Sequence, residues 1–276
     1  MPVIDSHHHF WRYSVEDYAW IKESMGVIRR DFLPADLEKT IRAAVVDGVV
    51  SVQARQSLEE TRWLLELAGA NPFVRGVVGW APLIAPDIAK ILGELTTDKK
   101  LRALRHVLQT EPDELYMLRE DFNRGIAALP ECGLAYDILI FERHLPQTMQ
   151  FVDRHPRQVF VLDHLAKPRI KDGQLQPWAK NIRELARRPN VYCKVSGMVT
   201  EADYALWTEA DLQPFFDTVL EAFGPRRLML GSDWPVCLVA CDYARWVGLV
   251  RKWIQQLSAA EQARILGGTA VEAYRL

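Results

Sequence analysis

The most constraining feature of the sequence is an alternation of eight short apolar runs with segments of helical apolar spacing. The runs cover residues 3–7, 48–53, 74–83, 101–109, 134–141, 159–165, 191–196 and 227–233. Helical spacing recurs at 58–70, 121–129, 145–155, 176–187, 212–223 and 258–274, the last opened by Ser258 as a cap with Glu261 three residues later. Strands that alternate with helices predict a parallel sheet joined by right-handed crossovers, and eight such units predict a closed barrel.

The length agrees with that architecture, since the 276 residues are close to the ~250 of a single (β/α)₈ barrel. We therefore predict an α/β fold, a (β/α)₈ TIM barrel that forms one domain over residues 1–276. A doubly wound open sheet is the structural alternative. It usually has fewer strands, and no glycine-rich nucleotide loop follows the first run.

Composition excludes several classes of protein. Hydrophobic residues make up 49% and charged residues 25%, which is typical of globular chains rather than disordered ones. The net charge of −2 and the scattered basic residues indicate no nucleic-acid partner. No apolar stretch of about 18 residues predicts a membrane span, and the first residues do not resemble a secretion signal, so we expect a cytoplasmic protein. Four cysteines in a chain of this length predict reduced thiols rather than a disulfide framework.

A long, aromatic-rich segment follows the first predicted strand, at about residues 11–33. It is longer than an ordinary strand-to-helix loop. Long loops on one face of a barrel usually accompany a site there. We interpret this segment as a lid or pocket wall beside the barrel mouth.

The first run leads into the motif Asp5-Ser6-His7-His8-His9-Phe10-Trp11. Residues two apart in a strand point to the same side, about 6.6–7 Å apart. His7 and His9 are therefore predicted to project together into the barrel mouth, with His8 on the outer side. Two imidazoles in this arrangement can bind one divalent metal ion. A chance pair of histidines is the alternative for this motif taken alone.

Two further runs contain possible metal-ligating or catalytic residues near their ends. The eighth ends in Gly231-Ser232-Asp233-Trp234, and barrel closure would place Asp233 beside the first strand. That carboxylate could ligate a metal or accept a proton from an attacking water, although a helix-capping role is the alternative. The sixth run ends in Asp163-His164. His164 could polarise a carbonyl, stabilise an oxyanion or ligate the metal, and Asp163 could orient a neighbouring ligand.

Other polar and aromatic residues at predicted strand ends are candidates for substrate contact, because amide, guanidinium and indole groups bind hydroxyl-rich ligands. We expect Trp11, Trp80 and Trp234 to form an aromatic rim, with packing beneath the loops as the alternative for each. The remaining candidates are Gln53, Arg55, His106, Gln109 and His144.

The three blocks together resemble the amidohydrolase superfamily, and in particular its amidohydrolase-2 group. Carried by Asp5–Trp11, Leu162–Pro168 and Gly231–Pro235, the resemblance extends from residue 3 to about residue 240. It implies His7, His9 and Asp233 as metal ligands, with Asp233 and His164 as catalytic residues. The fourth run has no obvious metal-bridging lysine, so the resemblance implies one divalent ion, Zn²⁺ by expectation, partly occupied or dispensable.

Within that group the chain is similar to sugar-lactone hydrolases, such as those acting on L-fuconolactone and L-rhamnonolactone. The resemblance implies hydrolysis of an aldonolactone to the aldonic acid, with Asp233 as the base that activates water. Two alternatives remain open: metal-dependent, non-oxidative decarboxylation of an aromatic or unsaturated carboxylic acid, and a non-catalytic sugar-binding barrel. The expected partner is a small sugar lactone, and the chain is expected to be a monomer or homodimer.

Overall fold

The computed structural model describes residues 1–276 and contains one eight-stranded parallel sheet in the order β1 to β8. The strands are β1 (Ile4–His8), β2 (Gly48–Val52), β3 (Val74–Gly79), β4 (Leu101–Val107), β5 (Ala135–Leu139), β6 (Phe160–Leu162), β7 (Val191–Val195) and β8 (Leu228–Leu230). The ends of the sheet meet because the amide of His9 donates to the carbonyl of Trp234 at 2.7 Å and the amide of Asp233 donates to the carbonyl of His7 at 2.8 Å. The predicted (β/α)₈ barrel is therefore confirmed.

Helices fill the connections between the strands and continue after β8. They are α1 (Pro34–Ala43), α2 (Leu58–Ala70), α3 (Ile88–Leu95), α4 (Glu120–Ala128), α5 (Leu145–Asp153), α6 (Trp178–Leu185), α7 (Glu209–Phe223), α8 (Tyr243–Trp253), α9 (Ala259–Ala263) and α10 (Thr269–Tyr274). The sequence prediction placed α2 at the correct bounds and omitted α1, α3 and α8. None of these helices is long and apolar enough to cross a membrane.

Local sequence explains where several of these helices begin. Ser57 and Asp242 cap α2 and α8 by accepting hydrogen bonds from the amides of Glu60 and Arg245. The predicted capping box of Ser258 at the start of α9 is confirmed. Such caps satisfy amides that have no partner inside the helix, so each fixes the residue at which its helix starts.

The predicted C-terminal helix, 258–274, is interrupted by a π-helical turn, Arg264–Gly268. Gly267 in this turn lies against the backbone of Pro2, and a Cβ atom there would come within 1.9 Å of the Pro2 carbonyl oxygen. The chain before β1 therefore packs directly on the turn, which requires a residue without a side chain at this position.

The predicted run 74–83 is too long because the chain leaves the sheet after Gly79. The amide of Trp80 donates to the side-chain oxygen of Thr61 on α2 at 2.8 Å, instead of continuing the strand ladder. A side-chain partner of this kind lies far along the sequence, so the apolar pattern of β3 does not reveal it.

One irregularity in β1 sets the direction of the histidine motif. Asp5 is paired with Val49 and His8 with Ser51, so three steps along β1 match two steps along β2. The extra residue is a β-bulge, which changes the side of the sheet to which the following side chains point. Ile4 belongs to the apolar cluster inside the barrel, and after the bulge His7 also points inward.

The segment between β1 and α1 contains no α-helix and packs through aromatic side chains. Trp11 and Phe32 form an isolated antiparallel bridge that closes the base of the segment, and Glu23–Ile28 forms a 3₁₀ turn within it. The buried ring of Trp11 contacts Tyr18, Trp20 and Phe32 edge-on or tilted, at centroid distances of 5.7–5.8 Å. This packing gives the long segment an apolar core of its own.

Candidate active site

Three imidazoles and one carboxylate converge at the C-terminal ends of β1, β6 and β8. The Nε2 atoms of His7 and His9 are 3.2 Å apart. Asp233 Oδ1 is 3.3 Å from His9 Nε2, 3.7 Å from His7 Nε2 and 3.9 Å from His164 Nε2. All four residues are at least nine-tenths buried. Potential ligand atoms of His7, His164 and Asp233 all lie within 4.8 Å of one another.

This geometry fits a single tetrahedral metal ion. Bonds of ~2.0–2.1 Å place tetrahedral ligand atoms roughly 3.3–3.4 Å apart. The distances from His9 to His7 and to Asp233 are 3.2 and 3.3 Å, and the distance from His7 to Asp233 is longer, at 3.7 Å. The Nδ1 atom of His9 is 2.8 Å from the carbonyl oxygen of Val52, which can only accept, so Nδ1 carries the proton. The Nε2 atom of His9 therefore presents a lone pair toward the other two residues, as a metal ligand must.

Burial and neighbouring charges set the protonation of the cluster. Burial lowers the pKa of His164 to about 4, and burial together with the Lys194 ammonium lowers the pKa of His7 well below its usual value. Burial acts to raise the pKa of Asp233, but His164 and His9 outweigh it, and the net pKa is lowered. At neutral pH the cluster therefore has neutral His7 and His164 rings beside an ionised Asp233.

Asp5 fixes the position of the loop that carries Asp233. Its carboxylate accepts hydrogen bonds from the amide and hydroxyl of Ser232, at 2.8 and 2.6 Å, and from the hydroxyl of Tyr243 at 3.1 Å. Asp233 itself has a left-handed backbone, with φ at 57°. The first residue of the histidine motif thus connects β1 to the strained turn after β8.

A left-handed turn presents His164. Four consecutive residues from His164 to Lys167 have φ between 49° and 61°, although none is glycine. Each costs about 1–2 kcal/mol, so the turn stores several kcal/mol that other contacts must offset. The indole of Trp178 donates to the carbonyl of Leu165 at 2.7 Å, and Leu165 is fully buried. The middle of the turn is therefore anchored in the core while its two ends face the barrel mouth.

A layer of charged residues lies inside the barrel beneath the histidines. The Lys194 ammonium is 2.5 Å from Asp137 and 2.9 Å from Asp163, and Arg105 donates to Asp163 at 2.9 Å. Asp163 Oδ1 and the Lys194 ammonium are 3.3 and 3.1 Å from Nδ1 of His7. Because two cations offset two anions, this buried layer supports His7 without leaving an isolated charge.

An open cavity of about 300 Å³ lies against the cluster. Its polar lining comprises His9, His164, Asp233, Arg105, Lys167, Gln56, Gln109 and Thr110, and its apolar lining comprises Trp20, Ala54, Val107, Leu139 and Val236. A wall with both kinds of group suits a ligand that has hydroxyls and C–H faces.

Among the substrate-contact candidates, only Gln109 lines this cavity. Trp11 and Trp234 are buried in aromatic packing, so they do not form the predicted rim at the cavity. The aromatic residue of the cavity is Trp20, whose side chain is 40% exposed. Trp20 belongs to the segment 11–33 that was predicted to form a lid or pocket wall, but it stands at no strand end and was not among the individual candidates for substrate contact.

The other candidates hold the scaffold around the cavity rather than lining it. Trp80 donates to Nδ1 of His106 at 3.2 Å, which leaves Nε2 of His106 to donate to Glu111 at 2.6 Å. Gln53 binds the backbone of Arg105. Two further candidates are occupied locally: Arg55 pairs with Asp17 at 2.8 Å, and His144 accepts from the amide of Phe141.

The fold and the site together define a class: a (β/α)₈ barrel with a three-histidine, one-aspartate centre at the C-terminal ends of its strands. The amidohydrolase family model matches residues 4–276. The chain belongs to this amidohydrolase family, and the predicted membership is confirmed.

Known proteins of the family are similar to this chain over nearly its full length. The L-fucono-1,5-lactonase of Burkholderia multivorans is 44% identical over 99% of this chain and 96% of its own length. The L-fucono-1,5-lactonase of Burkholderia ambifaria is 37% identical over 99% and 95%. A crystal structure of a Burkholderia multivorans amidohydrolase with bound zinc is 45% identical, has a TM-score of 0.96 and is matched over 100% of both chains.

Proposed function

We propose that this chain hydrolyses a sugar lactone, L-fuconolactone or a similar aldonolactone, to the free aldonic acid. The two lactonases from Burkholderia support the prediction of a lactone-hydrolysing enzyme. The observation that carries the proposal is the convergence of Asp233 with His7, His9 and His164 on an open cavity with mixed polar and apolar walls.

Asp233 is the proposed base. Its carboxylate is ionised and faces the cavity, so it can accept a proton from a water that attacks the acyl carbon. The new bond joins the water oxygen to the acyl carbon, and the bond from that carbon to the ring oxygen breaks. Asp233 then returns the proton to the leaving ring oxygen. The product acid loses its own proton to solvent, so each turnover acidifies an unbuffered solution.

The imidazoles provide ligands for a metal ion and a hydrogen-bond donor for the acyl oxygen. His7, His9 and Asp233 would hold a divalent ion such as Zn²⁺, which supplies Lewis acidity toward the acyl oxygen when bound. His164 contacts Ser196 through Nδ1 at 2.8 Å, which orients its Nε2 edge toward Asp233. If the Ser196 hydroxyl donates to Nδ1, Nε2 carries the proton and can donate to the oxygen that gains charge.

The cavity walls suit a polyhydroxylated ring. Gln56, Gln109 and Thr110 offer amide and hydroxyl groups to the substrate hydroxyls, while Trp20 and Val236 offer apolar surface to its C–H faces. A neutral, compact lactone would therefore use both walls.

The direct test is a pH-indicator assay of aldonolactones of both ring sizes, run with and without a chelator, beside carboxylic acids assayed for carbon dioxide release. We expect acid release from L-fuconolactone or a close stereochemical relative. Carbon dioxide release without lactone opening would instead support the decarboxylase alternative. Binding without turnover of any lactone would support the non-catalytic barrel.

The base assignment is tested by Asp233→Asn, which should lower kcat by about 10²–10⁴-fold because the proton acceptor is lost. Asp242→Asn is the matched control, since it removes an exposed carboxylate from the same loop and asparagine also caps helices. Activity of Asp233→Asn within a few-fold of the control would overturn the assignment.

A further inference from the structure

The cavity is lined by two cationic side chains, which differ in how their terminal donors are used. Arg105 is immobilised: it donates to Asp163 and to the backbone carbonyl and side chain of Gln53. The ammonium of Lys167 forms a long ion pair with Glu201 at 3.6 Å and makes no closer hydrogen bond to the protein. Lys167 therefore lines the cavity with N–H donors that are available to a ligand.

The backbone is built to place this lysine beside the reacting groups. Lys167 is the last residue of the left-handed turn that begins with His164, and its amide donates to the His164 carbonyl at 2.7 Å. Leu165 and Ala166 between them are fully buried. The two residues that reach the cavity are thus held at a fixed separation by a strained segment.

Charge around the cavity agrees with this placement. Lys167 lines the same cavity as His164 and Asp233, so its charge lies beside the reacting groups. The ring of Phe141 lies 5.7 Å from the ammonium and supports a cation at this position. A lactone is neutral, and the lasting negative charge of the hydrolysis product lies on the carboxylate oxygens.

We propose that Lys167 is a substrate-binding residue that contacts the acyl oxygen of the lactone and the carboxylate of the aldonate product. This inference rests on the proposed lactone hydrolysis. It predicts that the lysine recognises the group whose charge increases during the reaction, whereas the neutral polar wall recognises the hydroxyls.

The test compares Lys167→Met with Lys171→Met. Lys171 lies in the same loop but is exposed and pairs with Asp203 at 3.1 Å, so its loss controls for a general change in charge. We measure kcat and KM for the lactone, and by calorimetry the binding of the aldonate and of the corresponding alditol, which has the hydroxyls but no carboxylate. Zinc content and circular dichroism are matched among all proteins.

Lys167→Met should lower kcat/KM and weaken aldonate binding by about 10- to 100-fold each, as expected for a lost charge-assisted hydrogen bond. Alditol binding should change less than about three-fold. Lys167→Arg, which retains the charge, should recover at least part of the aldonate affinity, and it keeps the test informative if the methionine variant folds poorly.

Three outcomes would overturn the inference: unchanged aldonate affinity in Lys167→Met, an equal loss of alditol affinity, or the same loss in Lys171→Met. If the proposed function is wrong, the parent protein itself does not open the lactone, and this outcome is distinct from a failure of the Lys167 inference. An active parent with an unaffected Lys167→Met variant refutes the role of the lysine alone.

Discussion

Gly197, the second residue after β7, controls the space available to His164. Its backbone is left-handed, with φ at 66°, and a Cβ atom there would lie 2.6 Å from both Cγ and Nδ1 of the His164 ring. The ring cannot retreat easily, because its own backbone belongs to the strained turn. Gly197→Ala therefore introduces two separate costs, one in the backbone and one in packing.

The magnitudes follow from this geometry. An alanine at positive φ costs about 1–2 kcal/mol, and overpacking against a fixed ring costs about 1–3 kcal/mol more. Gly173 provides the matched control, because its φ is 61° and an added Cβ would meet no atom within 4 Å. Gly173→Ala should show only the backbone cost, so Gly197→Ala should be less stable than Gly173→Ala by about 1–3 kcal/mol.

The assay is urea unfolding of both variants, followed by fluorescence, together with kcat on the lactone that the parent opens. Displacement of His164 should lower kcat of Gly197→Ala by up to about 10²-fold, while Gly173→Ala stays near the parent value. Equal stability of the two variants with equal kcat would refute the reasoning, since it would mean that the ring moves aside without cost.

Three further predictions concern other parts of the barrel. Burial raises the pKa of Glu60 from 4.5 to about 7. The folded protein therefore loses stability as pH rises through about 7, because the buried carboxyl must ionise. Glu60→Gln, which does not ionise, should reduce this loss of stability between about pH 5 and 8 by up to about 3 kcal/mol, measured by urea unfolding. Tyr274→Phe removes the hydroxyl that donates to Asp137 at 2.9 Å and should lower the free energy of unfolding by about 1–3 kcal/mol. Trp20→Ala should raise KM for the lactone by about three- to ten-fold with little change in kcat, because the indole lines the cavity but is not one of the proposed reacting groups.

Each of these three predictions has a control variant or an outcome that would contradict it. For Glu60, a stability difference from the parent that does not vary with pH would contradict the titration. Tyr192→Phe, which loses a hydrogen bond to Glu272 near the surface, should cost less than about 0.5 kcal/mol, and an equal cost for the two tyrosines would contradict the importance of burial. Val15→Ala, exposed on the same loop as Trp20, should leave KM unchanged.

The barrel and the reacting cluster could be predicted from sequence because both follow from local periodicity. Each strand is a short apolar run, and strand ends converge at one face once the fold is a parallel barrel. His7, His9, His164 and Asp233 stand at such ends, so the topology brings them to one face, while the inward direction of His7 also depends on the β-bulge in β1.

The supporting residues were harder to find because their partners lie far along the chain. Arg105 and Lys194 are charged residues within strands, and their role depends on Asp163 and Asp137, which come from two other strands. A charge inside an apolar strand is the available signal, but it does not reveal its counter-charge. The cavity wall at Trp20 depends on how a long loop folds back, which periodicity does not describe.

The β-bulge between Asp5 and His8 makes the chemistry depend on the count of residues as much as on their kind. In a regular strand of the same sequence His7 would stand three residues after the inward Ile4 and would point to the opposite side, toward the helices. The extra residue between Asp5 and His8 reverses that direction and brings the imidazole into the barrel interior. The direction of the first imidazole is therefore set by one irregular step in the hydrogen-bond ladder.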